Sequence, residues 1–255
     1  MLKEATSTNV GYYPIRNFGN VSSKQMLFEH PTWSEGNNIA KFLSPHECVV
    51  VVLAGKPGAG KTTQAKALSK RLNSEGIPAL DAKEFVRKNL PVSKAAARIL
   101  FAAEDAEESY ALSAFSAMKH LLLFALERKA AIERMHEYKV VILQRLPEDI
   151  TTAIAASLKL NGSFSAFSSF FEERARKTIK PDIVIYLNAP KDVLSKRFEG
   201  SDNAKDKLHR FWLEWDDTQF IRKLGSRYYT AVVDATGTAA SVSEEVYKRV
   251  KALLR

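Results

Sequence analysis

The chain has 255 residues, enough for one large α/β domain or two small ones with a substantial buried core. With 45% hydrophobic and 26% charged residues it is neither fibrous nor free of a core, and its formal net charge of +9 favours anionic partners such as nucleotides, nucleic acid or acidic membrane surfaces. A single cysteine, Cys48, excludes an internal disulfide framework, and no apolar run approaches the ~18 residues of a membrane span. The expectation is a soluble, cytoplasmic protein with no membrane partner.

Residues 1–47 stand apart. "NVGYYPIRNFGNVSSKQ" and "HPTWSEGNN" are polar, broken by Gly and Pro, and show no period. Tyr12, Tyr13, Phe18, Phe28 and Trp33 are aromatics of the kind that seek burial, which predicts an extension packing on a main domain over 48–255, with a short helix near 36–43. From Val49 the signals alternate. "CVVVVLAG" is a β-branched run of the buried parallel type. "KTTQAKALSKRLNSEG" has helical spacing at Ala65, Leu68 and Leu72 and stops at Gly76. "IPALD" predicts a second strand, followed by a long helical region over 82–135 interrupted around Pro91. "YKVVILQR", "PDIVIYLNA" and "YYTAVVDAT" predict three more strands, and "SVSEEVYKRVKALLR" an amphipathic helix capped by Ser243. This alternation implies an α/β fold, a parallel five-stranded sheet with helices on both faces, and the "GKPGAGKT" stretch after the first strand makes it one of the P-loop NTPase type.

"GKPGAGKT", residues 55–62, fits G-x-x-x-x-G-K-[ST] in its proper setting, after a strand and before a helix. Its glycines let successive backbone N–H groups turn inward as an anion nest at a helix N-terminus. The expected ATP-binding residues are Gly55, Lys56, Pro57, Gly58, Ala59, Gly60, Lys61, Thr62 and Thr63. Lys61 addresses the β- and γ-phosphates, and the Thr62 hydroxyl is the expected Mg²⁺ ligand. A hydrolase of this class places an acid directly after an apolar strand. Here the third strand ends in "LQRLPED", so Glu148 and Asp149 come late for that role.

From Val49 onward, about four-fifths of the chain, these segments resemble the thymidylate kinase family of nucleoside and nucleoside-monophosphate kinases. The resemblance rests on "GAGKTTQAKALSKRL", on "LLLFALER", on Arg145 after "VVIL", on "KPDIVIYLNAPKDVLSKR" and on "DDTQFIRKLGSRYYTAVVDAT". It implies a kinase moving the γ-phosphate of ATP to a (deoxy)nucleoside monophosphate such as dTMP, with Mg²⁺. It implies Phe124 stacking on the acceptor base, Arg128 binding the base edge and Arg145 holding the acceptor phosphate. Arg197 would act with a lid over about 198–212, where Lys205, Lys207 and Arg210 close on the donor phosphates. Family members pair through helices beside the sheet, and the apolar 111–126 stretch offers a homodimer surface of that kind. Each role has a plainer alternative: core packing for Phe124, a surface ion pair for Arg145, a solvated charge run for the lid.

The chain also departs from the family. The position of the family's acidic loop residue falls at or next to Pro57, Gln144-Arg145 replaces its Asp-Arg pair, and after the second strand come Asp81, Lys83 and Arg87 instead of its arginine. Asp81 falls where α/β sheets bind ligands, at the C-terminal end of a strand. Either it serves as a catalytic base for a hydroxyl acceptor, on a nucleoside or on a base in nucleic acid, or it caps the following helix. A third reading is a nucleotide-binding module without catalysis.

Overall fold

The computed structural model describes residues 48–89, 110–157, 164–198 and 217–254. The extension over 1–47, Pro91 and the lid residues Lys205, Lys207 and Arg210 lie outside the described residues. Elements are numbered in chain order: β1 Val49–Ala54, α1 Lys61–Ser74, β2 Ala79–Asp81, α2 Ala82–Asn89, α3 Tyr110–Arg134, β3 Val140–Leu143, α4 Pro147–Ser157, α5 Phe164–Thr178, β4 Ile183–Asn188, α6 Lys191–Phe198, α7 Thr218–Arg227, β5 Thr230–Asp234 and α8 Ala239–Lys251.

The strands form one five-stranded, wholly parallel sheet in the order β2-β3-β1-β4-β5. Its inner strands are runs of Val, Ile and Leu because both faces are covered, so neither face selects for polar residues. β1 is central, paired Val52↔Leu143 on one side and Ala54↔Tyr186 on the other. From β1 the chain crosses toward β2, whereas from β3 it crosses over β1 to β4. The switch in direction opens a crevice above the C-terminal ends of β1 and β3.

Gly76, at φ 77°, lets the chain leave α1 in the left-handed region. The last helix starts earlier than its charge pattern predicts. Thr238, not Ser243, caps α8: its hydroxyl accepts from the Ser241 N–H at 3.2 Å. Two helices, α4 and α5, fill the β3–β4 connection. They are tied to α7 by a buried charge network in which Arg227 donates to Glu148 at 2.8 Å and to Glu172 at 2.5 Å, and Lys223 donates to Glu172 at 2.9 Å. Thr151 and Tyr228 donate to the same carboxylates. Two carboxylates this deeply buried require that many donors. The network fixes α4, whose first turn borders the crevice. No helix among the described residues is long and apolar enough to cross a membrane.

Candidate functional site

The loop at the end of β1 owes its shape to glycines at positions where any other residue would be strained. Gly55 has φ 138°, and a Cβ there would lie 2.6 Å from the Leu187 carbonyl oxygen on β4. Gly60, at φ 98°, turns the chain directly into α1. That helix has no side-chain cap and no acidic residue in its first turn. Its first N–H groups and the positive end of its dipole are therefore left for an anion.

Lys61 lies across this mouth, its ammonium donating to the carbonyls of Gly55 at 2.5 Å and Lys56 at 3.0 Å. Burial lowers its pKa to about 8; the Asp149 carboxylate works against that shift, while the Lys83 and Arg145 charges add to it. Arg197 closes the far side, donating to the Gly58 carbonyl at 3.2 Å and to the Ala235 carbonyl at 2.6 Å. The Lys56 ammonium lies 3.8 Å from Asp217, which also accepts a hydrogen bond from the Tyr186 hydroxyl.

On the β2–β3 side a polar chain runs outward from the loop. The Thr62 hydroxyl donates to Gln144 Oε1 at 2.9 Å, and Gln144 Nε2 donates to Asp81 Oδ1 at 3.2 Å. Asp81 Oδ1 also accepts from the Glu84 N–H at 3.2 Å, so this carboxylate caps α2 while facing the crevice. Burial raises the Asp81 pKa above the ordinary carboxylate range, against the hydrogen bonds from Glu84 and Gln144. Lys83 Nζ donates to Thr62 Oγ1 at 2.9 Å and to Gln144 Oε1 at 3.3 Å.

Arg145 forms an ion pair with Glu127 of α3, whose second oxygen accepts from the Gln144 N–H at 3.4 Å. Burial lowers the Arg145 pKa to about 10, with Asp149 opposing. Asp149 itself accepts from the Leu146 N–H at 2.9 Å. Burial raises its pKa to about 6 despite the Lys61 ammonium. The carboxylate five residues beyond Gln144 thus belongs to the phosphate loop's surroundings, because α4 begins at once and its capping turn folds Asp149 back. Neither Asp149 nor Glu127 is marked by a motif; only the strand-to-helix junction at Pro147 hints at Asp149.

The structure brings Lys61, Thr62, Asp81, Gln144, Arg145 and Arg197 to the crevice or its rim. Phe124 and Arg128 lie elsewhere. Phe124 is 5% exposed and packs with Ile150, Ile154, Phe171 and Ala175 between α3, α4 and α5. The Phe171 ring stands 5.7 Å from the Phe124 ring, and the Arg128 guanidinium 4.4 Å from it. Arg128 Nη1 donates to the Ile179 carbonyl at 3.4 Å, while Nε and Nη2 have no hydrogen-bond partner among the described residues. Both residues line a cleft of about 620 Å³ between α3 and α5 to which no phosphate-loop residue contributes. The i, i+4 spacing does put the pair on one helix face, and that face meets other helices.

The chain matches the AAA domain family over residues 51–222, from β1 into α7. It belongs to that family. This AAA domain protein therefore carries a nucleotide-binding P-loop on a P-loop NTPase-type sheet, and the match carries no information on thymidylate. No curated protein matches the chain.

Among the described residues no cluster of three or more His, Cys, Asp or Glu is arranged to hold a metal. Magnesium with a P-loop nucleotide needs less: one hydroxyl, the phosphates and water. The oxygens of Thr62 and Gln144 suit such a hard cation in kind, but the charge that meets both is the Lys83 ammonium, and the Asp81 carboxylate lies one hydrogen bond beyond Gln144. When bound, the ion would draw charge from the γ-phosphate.

Proposed function

We propose that this AAA domain protein is an ATP-dependent kinase that transfers the γ-phosphate of ATP to a hydroxyl group of a nucleoside or of a base in nucleic acid. The observation that carries this reading is Asp81, a buried carboxylate of raised pKa, linked through Gln144 to the Thr62 hydroxyl of the phosphate loop. An alcohol must lose a proton as it attacks, whereas a phosphate acceptor is already an anion. Asp81 takes the hydroxyl proton as oxygen attacks the γ-phosphorus. The bond from that phosphorus to the β,γ-bridging oxygen breaks, and ADP leaves. Lys61 and the α1 N-terminus hold the β- and γ-phosphates while charge spreads over the transferred group. The net charge of +9 suits a polyanionic acceptor.

A second reading, transfer to a nucleoside monophosphate, is favoured by Arg145, which borders the crevice within range of Lys61 and Asp149. In that reading Arg145 must exchange its Glu127 partner for the acceptor phosphate. A screen of nucleosides, monophosphates and oligonucleotides with ATP, read as ADP release, separates the two. Phosphorylation confined to monophosphates overturns the hydroxyl reading, and nucleotide binding without turnover on any acceptor overturns both.

A further inference from the structure

The Lys83 ammonium occupies a telling position. Lys83 is the second residue of α2, which begins directly after β2, and its Nζ reaches Thr62 Oγ1 at 2.9 Å and Gln144 Oε1 at 3.3 Å. In P-loop proteins these positions, the loop hydroxyl and the residue ending the neighbouring strand, face the divalent ion that accompanies the nucleotide. Here one cation already donates to both.

The chemistry of the neighbours favours that cation. Gln144 offers an amide oxygen with no net charge, and the charge that a metal would seek lies one hydrogen bond further out on Asp81. Magnesium demands near-octahedral geometry at about 2.0–2.1 Å and draws its affinity from anionic oxygens. An ammonium needs only acceptors at ordinary hydrogen-bond distance, and it has three donors to place. Two of them have acceptors in Thr62 and Gln144, which leaves a third for a phosphate oxygen. Lys61, the neighbour of Thr62 in sequence, brings a second ammonium to the same helix N-terminus.

We infer that Lys83 is a tethered cation standing at the metal pole of the phosphate loop, so that the protein grips a nucleoside triphosphate without a divalent ion and magnesium must displace Lys83 to enter. This rests on the reading that the loop holds a nucleoside triphosphate. Were Lys83 only a counter-charge for Asp81, its loss would change stability and leave nucleotide affinity in chelator as it was.

The test is equilibrium binding of a fluorescent, non-hydrolysable ATP analogue to the full chain, in EDTA and in saturating MgCl₂. The expected wild-type Kd in EDTA lies within about threefold of the Kd in magnesium, and Lys83→Met raises the EDTA value about tenfold or more while magnesium restores it. Wild-type binding lost in EDTA alone overturns the inference, as does a folded Lys83→Met protein that binds in EDTA like wild type. Wild-type binding absent in both conditions overturns the nucleotide reading, and the inference with it. The wild-type comparison stands even where Lys83→Met fails to fold.

Discussion

Gln144 Nε2 donates to the Asp81 carboxylate at 3.2 Å while Gln144 Oε1 accepts from Thr62, so one amide joins the end of β2 to the start of α1. An aspartate in place of Gln144 would set two carboxylates side by side in a buried crevice and drive one to hold its proton. The amide avoids that repulsion and orients Asp81 with a donor. The glutamine that breaks the thymidylate kinase pattern is therefore consistent with a carboxylate carried on β2 instead of β3.

Replacing Gln144 with Leu leaves the buried Asp81 oxygen and the Thr62 hydroxyl without this partner. The expected cost is about 1–3 kcal/mol of folding stability, read from urea denaturation. Gln144→Glu tests the same relationship from the other side. It is expected to shift the pH dependence of stability upward in the acid range, because one of the paired carboxyls stays protonated to higher pH. A Gln144→Leu protein as stable as wild type would mean that the amide does not hold the crevice together.

The phosphate loop gives the second expectation. Lys61→Ala removes the ammonium that lies across the loop mouth, and under the proposed kinase reading the expected loss of phosphoryl transfer is on the order of 10²–10³-fold or greater. Gly55→Ala should impair nucleotide binding too, without touching any charge. Its new Cβ would meet the Leu187 carbonyl at 2.6 Å with φ at 138°, so the loop has to move. Wild-type nucleotide affinity in Gly55→Ala, measured by titration, would show that the loop shape is not what binds.

Asp149 gives a pH dependence of defined sign. Its pKa rises from 3.8 to about 6 on folding, so the folded protein holds this proton more tightly than the unfolded chain does. The contribution to stability is fully present below pH 3.8 and is lost as pH climbs to about 6, by up to about 3 kcal/mol before any allowance for solvent. Asp149→Asn should remove that loss, so wild type and variant differ most above pH 6 and least near pH 4. The same substitution withdraws the carboxylate that sustains the Lys61 charge. Nucleotide affinity, which in wild type should fall as pH passes about 8, should then fall at lower pH. Superimposable pH profiles for the two proteins would place Asp149 outside the loop's electrostatic field.

The residues of the fold and the site differ in how far the sequence reveals them. β1, its loop and α1 are legible because everything that defines them is local: a β-branched run, glycines at left-handed positions, and helical spacing that ends at Gly76. Asp81 is legible as a residue at a strand end, but its bond to Gln144 joins positions 63 apart and depends on β2 lying beside β3. Asp149 is hidden for a different reason. Counted along the chain it lies beyond the strand, and only the immediate start of α4 brings it back toward Lys61. For Phe124 and Arg128, spacing defines a shared helix face without saying what that face meets. The meeting partners, α4 and α5, come after β3 in the chain, and no local pattern names them.

Arg128 makes the last prediction. The residue is 5% exposed, two of its nitrogens lack hydrogen-bond partners among the described residues, and burial lowers its pKa to about 10. A buried cation so poorly served costs more in lost hydration than its few contacts return. A methionine of similar length would fill the same volume, keep the contact with the Phe124 ring and remove the charge. Arg128→Met is therefore expected to leave stability unchanged or to raise it by about 1–4 kcal/mol in denaturant titration. Phe124→Ala, which opens a void among Ile150, Ile154, Phe171 and Ala175, should instead lower stability by about 3–5 kcal/mol. Acceptor kinetics complete the comparison. If Arg128 meets only protein, Arg128→Met keeps its acceptor KM. A rise in KM with stability intact would mean that the unpartnered nitrogens serve the acceptor, with the cleft between α3 and α5 as its seat.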